Sequence, residues 1–231
     1  MSPATHAPRA EHTARAEVVR RIEAVGIVPV IRAATPELAA RAARAILAGG
    51  ISVFEITMTV PDAPAVIRGL VKELGDRAVI GAGTVLTAAA ARQCIDACAA
   101  FIVSPGFDPE TVTAAHARGV PAMPGALTPT EVIAAWNHGA DLVKIFPVTA
   151  VGGAPYLRAL RGPLPDVKLL PTGGITAANA AEYLKAGAAA IGVGSELVDS
   201  KALAEGRDAV ITERARELCA AVAAARSGRP G

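Results

Sequence analysis

The chain alternates, eight times in succession, a short apolar segment with an Ala-rich segment of helical periodicity. The apolar segments lie at 27–32, 52–57, 78–83, 101–106, 121–125, 142–147, 167–174 and 189–195. The helical segments, with apolar residues three and four positions apart, lie at 36–48, 62–74, 87–98, 109–118, 129–137, 153–160, 177–186 and 199–224. Strands that are apolar on both faces are typical of a parallel sheet covered by helices, and eight right-handed crossovers can close on themselves. We therefore predict a single (β/α)8 TIM barrel, with a doubly wound open sheet as the alternative.

The region from residue 11 to 225 contains no linker, so we predict that it forms one domain. The segments 1–10 and 226–231 are rich in Ala, Pro, Gly and Arg and are predicted to be flexible tails. Residues 11–24 predict an extra amphipathic N-terminal helix that could cover one mouth of the barrel. Three predicted helices begin with a capping side chain followed by proline, at Thr35, Asp108 and Thr128.

The composition of the chain limits the kinds of binding partner and the cellular location that we expect. A formal charge of +2 without a long basic run favours neither nucleic acid nor a membrane surface. No apolar segment approaches a membrane span, and the N-terminus lacks the apolar region of a secretory signal. Three cysteines suit a reducing cytoplasm. Cys94 and Cys98 have no further ligand at metal-binding spacing, so we predict a cytoplasmic protein without metal or cofactor.

Two ionisable residues lie inside predicted buried strands. Lys144 stands in DLVKIFP, and Glu55 stands in SVFEITMTV, where strand alternation puts it on one face with Val53 and Thr57. Desolvation disfavours the charged form of an amine, and the neutral amine is the nucleophile that attacks a ketone. A buried carboxylate requires a cation, a donor or a reacting proton. The pair predicts a nucleophile with a proton shuttle, and a purely structural ion pair is the alternative.

Two glycine-rich segments end the seventh and eighth predicted strands. They are PTGG at 171–174 and GVGS at 192–195. Glycine allows backbone amides to approach an oxyanion, and a helix N-terminus after each segment would add a favourable dipole. Phosphate sites of barrel enzymes frequently occupy these two loops, so we predict a phosphate site here, with tight turns as the alternative.

Other strand ends offer weaker candidates. Arg32 ends the first predicted strand, where its guanidinium could bind a carboxylate through two hydrogen bonds or could simply be solvated. Thr84 in GAGTV offers a hydroxyl, and Pro105 in SPG offers a rigid wall. Either residue could equally serve the turn in which it lies.

Taken together, these residues resemble the class I, Schiff-base-forming 2-keto-3-deoxy-6-phosphogluconate and 4-hydroxy-2-oxoglutarate aldolases. The resemblance runs from about Val18 to Ala204 in consistent order. Its motifs are VPVIR, AGGISVFEITMTVPDA, IGAGTVL, FIVSPGFD, PAMPGALTPTE, VKIFPV, LPTGGI and GVGSELV. The resemblance implies a barrel lyase without metal or cofactor, a small phosphorylated keto acid as substrate, and a homotrimer.

The resemblance also implies residue roles. Lys144 would form the Schiff base and Glu55 would act as general acid and base. The remaining substrate-binding residues would be Arg32, Thr84, Pro105, Phe146, Thr172, Gly173, Gly174, Gly194 and Ser195. One departure is Met58, which stands where many members carry an arginine that binds the substrate carboxylate, so Arg32 is the predicted substitute.

We therefore expect cleavage of the phosphorylated sugar acid to pyruvate and glyceraldehyde 3-phosphate, with 4-hydroxy-2-oxoglutarate as a possible second substrate. The alternatives are an aldolase specific for the galactonate epimer and a barrel phosphosugar isomerase or epimerase. A more distant alternative is a phosphometabolite-binding protein without catalysis.

Overall fold

A computed structural model describes the backbone of residues 9–227 and the side chains of residues 14–227. The remainder of the two predicted tails, 1–8 and 228–231, lies outside the described residues. The strands are β1 (Ile27–Ile31), β2 (Val53–Thr57), β3 (Val79–Gly83), β4 (Ile102–Val103), β5 (Ala122–Met123), β6 (Gly125–Ala126), β7 (Val143–Ile145), β8 (Leu169–Pro171) and β9 (Ile191–Val193).

The strands form a closed parallel barrel. β1 pairs with β2 on one side and with β9 on the other, so the first and last strands of the chain are neighbours. β5 and β6 are two halves of one strand interrupted at Pro124, and a single parallel bridge, Thr172 to Gly192, joins β8 to β9. The ring thus contains eight strands at the predicted positions, which confirms the barrel and excludes the open sheet.

Ten α-helices surround or cap the barrel in the part of the chain that the structure describes. They are α1 (Arg9–Val25), α2 (Pro36–Ala48), α3 (Ala63–Leu74), α4 (Ala88–Asp96), α5 (Pro109–His116), α6 (Pro129–Asn137), α7 (Ala154–Arg161), α8 (Ala180–Lys185), α9 (Ser200–Ala204) and α10 (Asp208–Ser227). Two short 3-10 helices span Gly75–Arg77 and Val148–Val151. The predicted single helix at 199–224 is divided into α9 and α10, because Gly206 takes a left-handed φ of 76°.

The predicted caps form. Thr35 Oγ1 accepts from the backbone N–H of Leu38, and an oxygen of Asp108 accepts from that of Thr111. Thr128 and Glu131 form a reciprocal capping box at the start of α6. Because each cap satisfies N–H groups that the first helical turn leaves unpaired, these side chains fix where the helices begin.

Strand alternation divides the core into two parts. Residues that face outward from the strands, such as Phe54 and Ile56, pack under the helices. Residues that face inward near the strand N-termini, such as Val53, form a smaller cluster with Val19 and Ile22 of α1. Helix α1 therefore fills the N-terminal mouth of the barrel, as the sequence suggested.

Ion pairs hold α1 in this position. Arg15 Nε lies 2.7 Å from Asp141 Oδ1, and Lys168 Nζ lies 2.8 Å from Glu23 Oε1. Asp141 and Lys168 lie in the loops that precede β7 and β8. With this mouth closed, the C-terminal mouth is the open end of the barrel.

None of the described helices is both long enough and apolar enough to cross a membrane.

Candidate active site

A cleft of about 360 Å³ opens at the C-terminal mouth of the barrel. It brings together eight of the predicted site residues: Arg32, Lys144, Phe146, Thr172, Gly173, Gly174, Gly194 and Ser195. Four further residues that the sequence analysis did not single out also line it: Val30, Glu196, Val198 and Ser200. Val30 lies on β1 two residues before Arg32, Glu196 and Val198 lie in the loop after β9, and Ser200 begins α9.

Lys144 projects into the barrel from β7. Its strand neighbours are Gly125 on one side and Leu170 on the other. The residue has 4% of its surface exposed, and its Nζ lies 5.4 Å from the centroid of the Phe146 ring. The amine is thus almost fully desolvated while it lines the cleft from which a ketone would approach.

Glu55 lies beside this amine. It faces the interior from β2, between Val30 and Gly81 in the strand register, and 1% of its surface is exposed. Its Oε1 lies 3.8 Å from Lys144 Nζ, which is an ion-pair distance but is too long for a hydrogen bond. Within the described part of the chain this oxygen has no hydrogen-bond partner.

The pKa of Glu55 is raised because burial disfavours its charged form, and the positive charges of Lys144 and Arg32 offset part of that shift. A carboxyl group whose pKa moves toward neutrality can both accept and return a proton at working pH. The pair therefore combines a desolvated amine with a group suited to general acid–base work.

Glycines make room for these side chains. A Cβ atom on Gly83 would overlap with Oε1 of Glu55, and a Cβ atom on Gly192 would overlap with Oγ1 of Thr172. Gly83 is not among the site residues predicted from the sequence. The available signal was glycine at alternate positions, 81 and 83, of a predicted strand, because this spacing empties the interior face.

The two glycine-rich loops lie side by side at the mouth. Gly173 and Gly174 have φ values of 104° and 70°, which a residue with a side chain rarely adopts. Among the described residues, the backbone N–H groups of Gly174, Ser195 and Glu196 donate to no protein acceptor, whereas that of Gly173 takes part in the bridge between Thr172 and Gly192. Three such donors around one cleft are suited to an oxyanion.

A helix follows each loop as predicted, but both helices begin at some distance from the glycines, at Ala180 and at Ser200. Helix α8 begins only at Ala180, and Asn179 instead braces the first loop, donating from Nδ2 to the carbonyl of Gly174 at 3.0 Å. The second loop continues into a turn in which the N–H groups of Leu197 and Val198 both donate to the carbonyl of Gly194 at 3.0 Å. The anion-binding capacity therefore comes from loop amides and not from a helix dipole.

Arg32 and Met58 lie in different layers. Arg32 is exposed at the rim of the cleft, whereas Met58 packs into the layer between strands and helices, with its Sδ 3.3 Å from Cys94 Sγ. Arg32 is therefore the guanidinium that the cleft offers to a carboxylate. Thr84, with a left-handed φ of 57°, and Pro105 do not line this cleft.

A larger groove of about 500 Å³ lies on the outer surface between α2 and α3. Its arginines are already paired: Arg44 Nε lies 2.7 Å from Glu73, and Arg41 Nη2 lies 2.6 Å from Asp208. It contains no buried ionisable group and no strand end, so the smaller cleft is the better candidate for chemistry.

No group of three His, Cys, Asp or Glu residues within the described ranges is arranged to hold a metal ion.

Comparison with known proteins gives a consistent result. Residues 18–213 match the family model described as KDPG and KHG aldolase. A protein of Escherichia coli named KHG/KDPG aldolase is 38% identical over 191 residues, which cover 83% of this chain and 89% of that protein. A 2-dehydro-3-deoxy-phosphogluconate aldolase of Treponema pallidum is 36% identical over 195 residues, covering 84% and 92% of the two chains.

A solved structure is similar as well. The KDPG aldolase of Legionella pneumophila, captured with pyruvate as a covalent carbinolamine intermediate, is 35% identical and superimposes with a TM-score of 0.81. The match covers 87% of this chain and 97% of that one. The matches span nearly the whole barrel in each case, and the chain belongs to the KDPG and KHG aldolase family.

Proposed function

We propose that this protein is a class I aldolase, a lyase that reversibly cleaves 2-keto-3-deoxy-6-phosphogluconate to pyruvate and glyceraldehyde 3-phosphate. Its catalytic residues would be Lys144 and Glu55. The observation that carries this proposal is the desolvated amine 3.8 Å from a buried carboxylate oxygen that has no hydrogen-bond partner among the residues the structure describes. Membership of an aldolase family supports the reaction class.

Cleavage would begin with an imine. Lys144 Nζ attacks the C2 ketone to give a carbinolamine, and loss of water leaves a protonated imine. Glu55 removes the proton of the C4 hydroxyl, the C3–C4 bond breaks, and its electron pair flows to the imine nitrogen. Glyceraldehyde 3-phosphate leaves, and the pyruvate enamine remains attached to the lysine.

Release of pyruvate completes the cycle. Protonated Glu55 returns its proton to C3 of the enamine, directly or through a water molecule, and so restores the imine. Water then adds to C2, and the carbinolamine breaks down to pyruvate and the free amine. The 3.8 Å separation matters here, because a carboxylate in a tight hydrogen bond to the amine would be less free to exchange protons with the substrate.

The rest of the cleft would bind the two ends of the substrate. Arg32 at the rim would hold the carboxylate next to the ketone, and Phe146 would form a wall beside the imine. The amides of Gly174 and Ser195 would hold the phosphate, with Thr172, Gly173 and Gly194 shaping that end. Thr84 and Pro105 stay as predictions for the pyruvyl end.

The decisive experiment is borohydride reduction with pyruvate, followed by intact mass measurement and peptide mapping. A pyruvyl adduct on Lys144 is expected. An isomerase or epimerase of the same fold forms no imine, so an absent adduct would contradict the proposal. Turnover of 4-hydroxy-2-oxoglutarate should be assayed in parallel, because a relative carries both substrate names.

The assembly and location are proposals as well. The resemblance supports a homotrimer, and the three free cysteines suit the cytoplasm. Sedimentation equilibrium would test the trimer, and a monomer at assay concentrations would contradict it.

A further inference from the structure

One carboxylate lies at the phosphate end of the cleft. Glu196 follows Ser195 in the loop after β9, lines the cleft, and is exposed. Across the described residues, no cation or hydrogen-bond donor contacts its side chain. Its carboxylate therefore makes no direct ion pair or hydrogen bond with those residues, and the nearby guanidinium of Arg214 contacts the backbone carbonyl.

The backbone beneath Glu196 is firmly held. The next two residues, Leu197 and Val198, are buried, and their N–H groups close a turn onto the carbonyl of Gly194. Arg214 of α10 supports the turn from behind: it donates to the carbonyl of Glu196 at 3.2 Å and to Asp199 at 3.1 Å. This anchoring fixes the backbone of Glu196 at the mouth of the cleft, where the residue also borders a second groove that Arg214 lines.

This position conflicts with simple phosphate binding. A phosphate monoester carries a charge near −2 at neutral pH, so a nearby carboxylate weakens its binding. The cations of the cleft, Arg32 and Lys144, belong to the carboxylate and imine ends of the proposed substrate, and Glu55 is a second anion deeper in the barrel. Glu196 therefore opposes the phosphate at the end where the loop amides attract it.

We propose that Glu196 sets the selectivity between phosphorylated and unphosphorylated 2-keto-3-deoxy sugar acids. Its carboxylate disfavours a terminal phosphate and accepts a hydrogen bond from a terminal hydroxyl, so the enzyme also takes the unphosphorylated sugar acid as substrate. This inference rests on the proposed aldolase function and names a wider substrate class for the same cleft.

The test uses two substrates that differ only in the phosphate, 2-keto-3-deoxy-6-phosphogluconate and 2-keto-3-deoxygluconate. Glu196→Gln removes the charge and keeps the shape. The ratio of kcat/KM for the phosphorylated over the unphosphorylated substrate should rise about three- to tenfold, mainly through KM, as expected for one charge several ångströms from a dianion. The increase should shrink at about 0.5 M salt, where charges are screened within a few ångströms.

Two variants serve as controls. Glu196→Asp keeps the charge and should stay close to the wild-type ratio. Glu110→Gln removes an exposed carboxylate from α5 on the outer surface and should not change the ratio. A ratio in Glu196→Gln equal to that of wild type, with thermal unfolding unchanged, would overturn the proposal.

A binding measurement separates this inference from the aldolase function. Calorimetry with inorganic phosphate needs no turnover, and Glu196→Gln should bind phosphate about three- to tenfold more tightly than wild type. Wild-type protein that cleaves neither substrate would contradict the aldolase function. Equal phosphate affinities in the two proteins would contradict the role of Glu196, whatever the turnover.

Discussion

The amine of Lys144 and the carboxylate of Glu55 face each other across the barrel interior at 3.8 Å. They come from β7 and β2, strands far apart in the sequence and not adjacent in the ring. The gap is too long for a hydrogen bond, and Oε1 of Glu55 has no hydrogen-bond partner among the described residues. The carboxylate is thereby available to a proton on a substrate that is bound to the amine.

Lys144→Ala should abolish turnover and borohydride trapping and leave the barrel folded. Lys144→Arg should be equally inactive, because a guanidinium stays protonated and cannot form an imine. Lys168→Ala, which removes the ion pair to Glu23 at the opposite mouth, is the matched control and should still form the adduct. An adduct that maps to Lys168 or Lys185 in wild type would disprove the assignment.

Glu55→Gln should lower kcat by about 10²–10⁴-fold, the usual contribution of a positioned acid or base. Pyruvate should still be trapped on Lys144, because imine formation uses the amine. The measurement is single-turnover cleavage alongside adduct mass. A variant with near wild-type kcat would show that another group carries the proton.

Glu55 should also make the stability of the protein depend on pH. Because its pKa is raised by burial, the folded protein holds this proton at pH values where the unfolded chain has lost it. The stabilising contribution is complete below the unfolded pKa of about 4.3 and is lost as the pH rises through the higher folded value. Relative to wild type, Glu55→Gln should therefore become more stable as the pH rises from about 4 through the folded pKa of Glu55.

Urea denaturation at a series of pH values measures this difference, with Glu110→Gln as the exposed control. A difference between wild type and Glu55→Gln that does not change with pH would contradict the assignment of the shift to Glu55.

Arg32→Met should weaken pyruvate binding, because it removes a charge-assisted pair worth about 1.5–3 kcal/mol, or about ten- to a hundredfold in Kd. The Kd is best measured by the concentration dependence of trapping. Arg92→Met, an exposed arginine on α4, is the control. Unchanged affinity in Arg32→Met would place the carboxylate elsewhere, for example on Thr84 and backbone amides.

Gly194→Val should block the approach of phosphate to the loop amides. A Cβ atom at Gly194 would meet no protein atom within 4 Å, so the variant should fold. Gly174→Val is a poorer test, because Gly174 has a positive φ and its Cβ would lie 2.6 Å from Thr149. Since binding of the remote phosphate helps to position the scissile bond, kcat and affinity should both fall for the phosphorylated substrate.

Cleavage of 4-hydroxy-2-oxoglutarate, which lacks the phosphate, should fall much less in Gly194→Val. The comparison requires kcat/KM for both substrates, with thermal unfolding as the folding control. Equal losses on the two substrates would mean that the loops shape the whole cleft, and the phosphate assignment would be wrong.

Much of this arrangement could be predicted from single residues. The inward direction of Glu55 followed from strand alternation, and the shared interior of Glu55 and Lys144 followed from barrel closure. The role of Gly83 could not be predicted, because the space that it leaves for Glu55 depends on a register between strands that one sequence does not reveal. The place of Glu196 in the cleft could not be predicted either, because an exposed loop carboxylate carries no periodic signal.

The helix boundaries show the same limit. The break between α9 and α10 depends on Gly206 taking a left-handed φ, whereas glycine inside a helical pattern is often tolerated. The late start of α8 follows from the bonds that Asn179 makes to the loop before it, and these are tertiary details that periodicity cannot predict.

Helix α1 closes the N-terminal mouth of the barrel, so in the described part of the chain the cleft opens to solvent only at the C-terminal mouth. A site with one opening constrains the order in which ligands enter and leave. Lys144 lies deep in the interior and the glycine loops lie at the rim, so in the proposed complex the phosphorylated aldehyde would stand between the pyruvyl group and solvent. We therefore expect the aldehyde to leave first in cleavage and pyruvate to enter first in condensation. Product-inhibition kinetics should accordingly follow a strictly ordered sequence.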